Sequence, residues 1–196
     1  MVLTTSIIQS VLILASASPR RQELLREAGI AFESCPAHIV EERGAGEDPV
    51  AYTCRLAREK AEAVARRFPG RWVLGADTVV VVDGHVLEKP RDPDDAGRML
   101  RLLSGRGHQV TTAVSLVGPD GRREARSSTT DVYFREITDK EILSYVRSGE
   151  PMDKAGAYAI QGGAGPWVQR IQGEYSTVVG LPLLLVTELL RAAGLA

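Results

Sequence analysis

Cysteine is scarce in this chain: there are two in 196 residues, Cys35 and Cys54, with no C-x-x-C pair and no histidine at metal-finger spacing. That argues against a zinc site. Cys54 falls inside a helical pattern and reads as a small buried hydrophobe, with nothing beside it to activate a thiol. The three histidines, His38, His85 and His108, are scattered and form no metal-binding motif. Net charge is scarce too. Against 24 basic residues stand 25 acidic ones, a formal charge of −1, so the chain as a whole carries no footprint for nucleic acid or a membrane surface. No apolar run approaches the roughly 18 residues that span a bilayer. Residues 1–10, MVLTTSIIQS, lack a basic n-region and a small-residue cleavage site, and read as a lead-in with the cytoplasm as the expected location. Two phosphate-binding signatures are also missing. There is no G-x-x-x-x-G-K-[ST], and no G-x-G-x-x-G follows the first strand, which disfavours a P-loop and a dinucleotide fold.

What is present points to a globular α/β chain. Hydrophobic residues make up 44% of the sequence, enough for a sizeable core over residues 11–196, in one large domain or two tightly fused lobes. Residues 11–15 read as a buried strand, and RRQELLREAG as a helix that Gly29 ends in a left-handed conformation. A long helix begins near Pro49 and runs to Phe68, its apolar stripe formed by Leu56, Ala57, Ala61, Val64 and Phe68. WVLGADTVVVV is a valine-rich strand, and Asp83-Gly84 turns it into the return segment HVLEKP. Residues 93–104 form another helix. HQVTTAVSLVG and RREARSSTTDVYF alternate as the arms of a long hairpin around PDG. Thr138 and Glu141 make a capping box for the following helix. Residues 153–166 are glycine-rich and read as a loop lining something. WVQRIQGEYSTVVGLP supplies a last strand and a turn before the closing helix LLLVTELLRAAG. No repeat or low-complexity linker divides the chain, so the strands share one sheet.

Several polar groups have no obvious place in such a core. SASPRR, residues 16–21, follows the first strand; Ser18 suits an N-cap and Pro19 the first helical turn. Two arginines at a helix N-terminus oppose the helix dipole, so the turn reads either as a solvated surface helix or as a site where hydroxyls, free N–H groups and guanidinium groups meet a phosphate. Asp77 interrupts a valine-rich strand, where an unpaired buried carboxylate is costly; it marks either an exposed strand position or a catalytic one. Lys89 lies on a proline-stiffened segment and suits a single phosphate group. Glu41 and Glu42 lie in a loop, and Lys60 on the long helix, where it can also pair with Glu59 or another acid. In combination, Asp77 and Glu41 offer oxygen ligands to a hard divalent ion, while Arg21, Lys60 and Lys89 offset a polyphosphate's charge.

Taken together, ASASPRRQELL, LAREKA, GADTVV, LEKPRD, MLRLLSG, EPMDKAGAYAIQG and VVGLPL resemble the Maf family of nucleoside triphosphate pyrophosphatases, in family order and from about residue 11 to the C-terminal helix. The resemblance implies an α/β fold whose extended mixed β-sheet divides two lobes, related to the inosine triphosphatase fold, commonly homodimeric. It also implies a cleft that takes a nucleoside triphosphate and a divalent cation, magnesium or manganese. By motif, Asp77 matches the general base that activates water and joins Glu41 at the metal, while Ser16, Arg21, Lys60 and Lys89 match the substrate-binding shell. This chain has HIVEE where the family more often has an extra acidic residue before the glutamate, so Glu42 is the alternative to Glu41. The family branch acting on dTTP and UTP carries arginine in the SASPRR turn, threonine after the catalytic aspartate and glutamine in the AYAIQG loop. Here these are Arg20, Thr78 and Gln161, which implies hydrolysis of dTTP, UTP and modified pyrimidine triphosphates to the monophosphate and pyrophosphate. The family is also linked to septum formation and to cleaning of the nucleotide pool.

Overall fold

The computed structural model describes residues 12–195; the lead-in over residues 1–10 lies outside them. Among the described residues seven strands form one mixed sheet. In sequence order the elements are β1 (Leu12–Leu14), α1 (Pro19–Glu27), β2 (Phe32–Ser34), α2 (Pro49–Ala65), β3 (Val73–Val82), β4 (His85–Leu87) and α3 (Pro93–Leu103). They continue with β5 (Gly107–Val117), β6 (Arg123–Phe134), α4 (Asp139–Arg147), β7 (Val168–Gln172), α5 (Tyr175–Val179) and α6 (Leu183–Ala192). The strand order is β2-β1-β3-β5-β6-β7, with β4 attached to β3. β1 pairs in parallel with both neighbours, whereas the β3–β5–β6–β7 stretch is antiparallel throughout.

The ten-residue strand β3 organises the molecule, because its side chains alternate between faces and its two halves meet different cores. On one face Leu74 and Ala76 join α1 and α6, while Val80 and Val82 join α3 and α4. On the other face, Val73 and Val79 join two clusters beneath α2. Asp77 and Thr78 therefore fall at the join on either face, opposite Ala113 and Thr112 of β5. The helix over Asp77 comes close because residue 75 has no side chain. A Cβ on Gly75 would lie 2.2 Å from the Ala57 carbonyl oxygen and 2.8 Å from the Ala61 nitrogen.

Local chemistry accounts for most element boundaries. Asp83 and Gly84 both adopt positive φ, as the tight β3–β4 turn requires. Thr138 accepts from the Glu141 N–H and the Glu141 carboxylate accepts from Thr138 N–H, closing the expected capping box on α4. Asp48 caps α2 by accepting from the N–H groups of Val50 and Ala51. Four expectations need correction. α2 ends at Ala65, so Phe68 packs from a turn and not from the helix. Cys54 is half-buried, not enclosed. β2 is a three-residue strand that alternation did not mark, and residues 175–179, inside a segment read as a strand and a turn, form α5.

One titratable group is sealed into the core between β5 and the glycine-rich segment. His108 is 3% exposed, its Nε2 lies 2.8 Å from the Tyr158 hydroxyl, and its ring meets Phe134 edge-on. Burial pulls its pKa from the ordinary 6.5 down to about 4, so the folded protein holds the ring neutral. A depressed pKa contributes stability above the unfolded value, and that contribution is lost as pH falls from 6.5 toward 4. The loss should be on the order of 3 kcal/mol. Urea unfolding at pH 7 and near pH 4 should therefore show a smaller acid-induced loss in His108→Gln than in the parent; equal losses would mean that the ring is not held neutral.

Candidate active site

The acidic half of the site is assembled from three elements. α2 carries Lys60, β3 carries Asp77, and the loop before α2 carries Glu41. The Lys60 ammonium donates to Asp77 Oδ1 at 2.6 Å and lies 2.9 Å from Glu41 Oε2. Lys60 is 8% exposed and Asp77 6%, so this ion pair is largely removed from water. Burial pushes the Asp77 carboxyl above its ordinary value, Lys60 and then Arg21 draw it back, and the nearby Glu41 charge adds to the rise. Asp77 Oδ2 accepts no hydrogen bond from any described residue. The alternative acid is placed differently. Glu42 does not line the cleft, and its backbone carbonyl accepts from Arg55. Glu59, a possible partner for Lys60, instead pairs with Arg55 at 3.1 Å.

The basic turn of SASPRR is divided in role. Arg21 reaches through α1 to brace the sheet, donating from Nε to the Gly180 carbonyl at 2.7 Å and from its terminal nitrogens to Ser16 Oγ, the Ala76 carbonyl and Thr78 Oγ1. Those four bonds use four of the five N–H groups a guanidinium has. Thr112 Oγ1 gives its own proton to the Thr177 carbonyl, so it accepts from Thr78 Oγ1 at 2.9 Å. The Thr78 hydroxyl is therefore held on both sides. Ser16 Oγ accepts from Ser18 N–H and from Arg21, which leaves its O–H free to donate. Ser18 is the N-cap residue of α1, yet its side chain makes no capping bond, and the first residues of the helix line the cleft.

Arg20, Lys89 and Gln161 form a second group. None makes a hydrogen bond or ion pair with a described residue, and the Arg20 Nε is buried without any partner. All three, with Ser16, Arg21, Glu41, Lys60, Asp77 and Thr78, line a single cavity of about 590 Å³. A buried donor without a partner is expensive in the empty protein and supplies recognition when a ligand pairs with it.

The match to the model of the Maf-like protein family covers residues 11–193, nearly the whole chain. This chain belongs to the Maf family. It is 56% identical over 183 residues to the dTTP/UTP pyrophosphatase of Koribacter versatilis, covering 93% of this chain and 94% of that one. Identity to the enzyme so named from Escherichia coli O157:H7 is 54% over 181 residues, covering 91% of each chain. The solved structure of the Staphylococcus aureus Ham1 protein shares the fold, with a TM-score of 0.52 at 16% identity over 93% of this chain and 98% of that one. The mixed sheet flanked by helices is thus the inosine triphosphatase-like fold that the resemblance implied.

The Maf cleft also contains residues that motif reading passed over. Glu88 lines it and accepts from the Tyr52 hydroxyl at 2.5 Å, and Asp153, Lys154 and Tyr158 lie along the glycine-rich side. Glu88 is adjacent to Lys89 in LEKPRD, but Tyr52 sits on a helix with no local signal for a site. No helix among the described residues is long and apolar enough to cross a membrane.

The residues present fit a divalent cation. Asp77 and Glu41, from separate elements, already converge on one positive group, the Lys60 ammonium. Among the described residues no cluster of three or more acidic, histidine or cysteine side chains could enclose an ion alone. Two carboxylates are the donor set expected where water and phosphate oxygens complete the shell. The convergence depends on the closeness of α2 to β3. Gly75→Ala should therefore cost ~1–3 kcal/mol by overpacking, measured by urea unfolding, and should depress activity further by moving Lys60 off Asp77. Unchanged stability and activity would mean that the helix does not need this approach.

Proposed function

We propose that the cleft binds dTTP or UTP, hydrolyses the bond between the α- and β-phosphates, and releases the nucleoside monophosphate and pyrophosphate. The observation that carries this reading is the pairing of a buried, raised-pKa carboxylate, Asp77, with uncommitted donors from Arg20, Lys89, Gln161 and the α1 N-terminus in one cavity. The relatives' names support the reaction and the nucleotides, and the residues lining the cleft support the roles given below.

Asp77 Oδ2 takes a proton from a water molecule, whose oxygen attacks the α-phosphorus as the bond to the bridging oxygen breaks and pyrophosphate leaves. A carboxyl held above its ordinary pKa is a stronger proton acceptor than a solvated one. Lys60 fixes Asp77 Oδ1 and keeps the Asp77–Glu41 pair from repelling. Lys89, the Ser16 hydroxyl and the α1 N–H groups meet the phosphates, and Arg21 holds Ser16 and β3 in register with them. Magnesium or manganese, held by Asp77 and Glu41, would polarise the phosphate oxygens and offset the charge of the leaving group. Gln161 and Arg20 face the base. An amide offers both a donor and an acceptor, as does the N3–H and carbonyl edge of thymine or uracil, and mismatched edges leave buried groups unpaired. Thr78, whose proton is committed to Thr112, contributes an acceptor and its size rather than a donor. Cytoplasmic operation as a homodimer, without nucleic acid or membrane partners, completes the reading; the near-neutral charge of −1 supports the last part.

Two outcomes test it. Asp77→Asn should fold like the parent and lose turnover ~100- to 10,000-fold; a folded variant within a few-fold of the parent would make Asp77 structural. Specificity constants measured side by side should rank dTTP and UTP above CTP and 7-methyl-GTP, with a divalent cation required. Release of orthophosphate and a diphosphate would show that a different bond is cut, and a CTP or 7-methyl-GTP preference would overturn the base assignment.

A further inference from the structure

The residue that faces the base sits on a turn with no regular secondary structure. The turn is closed by one backbone bond, from Gly162 N–H to the Ala159 carbonyl at 3.1 Å, and Gln161 at its tip makes no hydrogen bond with a described residue. Such a turn needs outside restraint to present an amide in one orientation. Restraint comes from the end of α4. Ala159 N–H donates to the Tyr145 hydroxyl at 3.0 Å, and that hydroxyl donates to Glu150 Oε1 at 2.7 Å. The same carboxylate accepts from Gly163 N–H, at 3.1 Å to Oε1 and 3.3 Å to Oε2. One phenol and one carboxylate thus hold both ends of the turn that carries Gln161.

Further observations show that this arrangement leaves no slack. A Cβ on Gly162 would lie 2.0 Å from Glu150 Oε1, and one on Gly163 3.0 Å from the Tyr145 ring. Tyr145 is 7% exposed and stacks edge-on with Trp167 at 5.0 Å, so the phenol cannot swing to follow a moving turn. Lys154 ties the backbone of Glu150 down, donating from Nζ to its carbonyl at 2.6 Å.

We infer that Tyr145 and Glu150 are positioning residues for substrate selection, acting through the turn that holds Gln161 and touching no part of the substrate themselves. The inference rests on the reading of the cleft as a pyrimidine triphosphate site. Loosening the turn lets Gln161 sample orientations that no longer distinguish a thymine edge from a cytosine edge. Asp77 and Lys60, on β3 and α2, and the phosphate-binding groups Ser16, Lys89 and the start of α1 are left as they were. The expected signature is a rise in KM for dTTP and a fall in the dTTP-to-CTP ratio of kcat/KM, with kcat for dTTP nearly unchanged.

Tyr145→Phe, Glu150→Ala and Glu150→Gln provide the test, with thermal unfolding and amide hydrogen exchange at Ala159 and Gly163 measured alongside kinetics. Tyr145→Phe and Glu150→Ala should cut the dTTP-to-CTP ratio by about tenfold, with kcat for dTTP within about threefold, and should speed exchange at both amides. Glu150→Gln retains an acceptor oxygen and should restore most of the ratio. If Tyr145→Phe does not fold, the contrast between Glu150→Ala and Glu150→Gln still decides the matter. Variants that discriminate as well as the parent, or that lose kcat with KM unchanged, would overturn the positioning role. A parent that turns over no nucleotide would instead sink the reading of the cleft.

Discussion

The Lys60 ammonium between two carboxylates is the contact on which the site depends. Asp77 lies buried in a largely apolar strand, and its ionised form would be strongly disfavoured there without a partner. Lys60 supplies that partner at 2.6 Å and binds Glu41 at 2.9 Å, drawing the loop before α2 onto the sheet. Removing one member of a buried pair typically costs ~3–5 kcal/mol because the other is left uncompensated. Gly75 makes the contact possible, since only a residue without a side chain lets α2 lie this close to β3. The position of a single glycine therefore helps set the charge state of Asp77.

Polar groups in the cleft fall into two populations that the motif alone would merge. Arg21, Thr78 and Lys60 have most of their hydrogen bonds satisfied by the protein and build the frame. Arg20, Lys89 and Gln161 have none with a described residue, and they line the cavity with their donors available. The frame makes recognition possible because it holds β3, α1 and the Gly180 turn in a fixed relation before any ligand arrives, and preorganised donors lose less on binding. The adjacent arginines of SASPRR illustrate the division: one braces the fold, and its neighbour is free to meet a ligand.

Features that depend on neighbours in sequence were legible there. The Asp83-Gly84 turn, the Thr138–Glu141 capping box and the alternating β5–β6 hairpin each follow from a few adjacent residues. β2 was not, because three residues reading FES carry no period and become a strand only by pairing with β1. α5 was hidden for a related reason: YSTVV has the composition of a strand and is helical through tertiary context. At the site, the residue types could be read from motifs, but their bonding could not. The bond from Arg21 to Gly180 spans 159 positions, and the hold of Tyr145 and Glu150 on the Gln161 turn joins segments that no pattern links.

The central chemical statement is that water, deprotonated by Asp77, attacks the α-phosphorus. Hydrolysis of dTTP in ¹⁸O-labelled water, followed by mass spectrometry of both products, tests it most directly. Attack at that atom puts one labelled oxygen in the monophosphate and leaves the pyrophosphate unlabelled. Label in the pyrophosphate, with none in the monophosphate, would place the attack on the β-phosphorus and contradict the arrangement of Asp77 within this cleft.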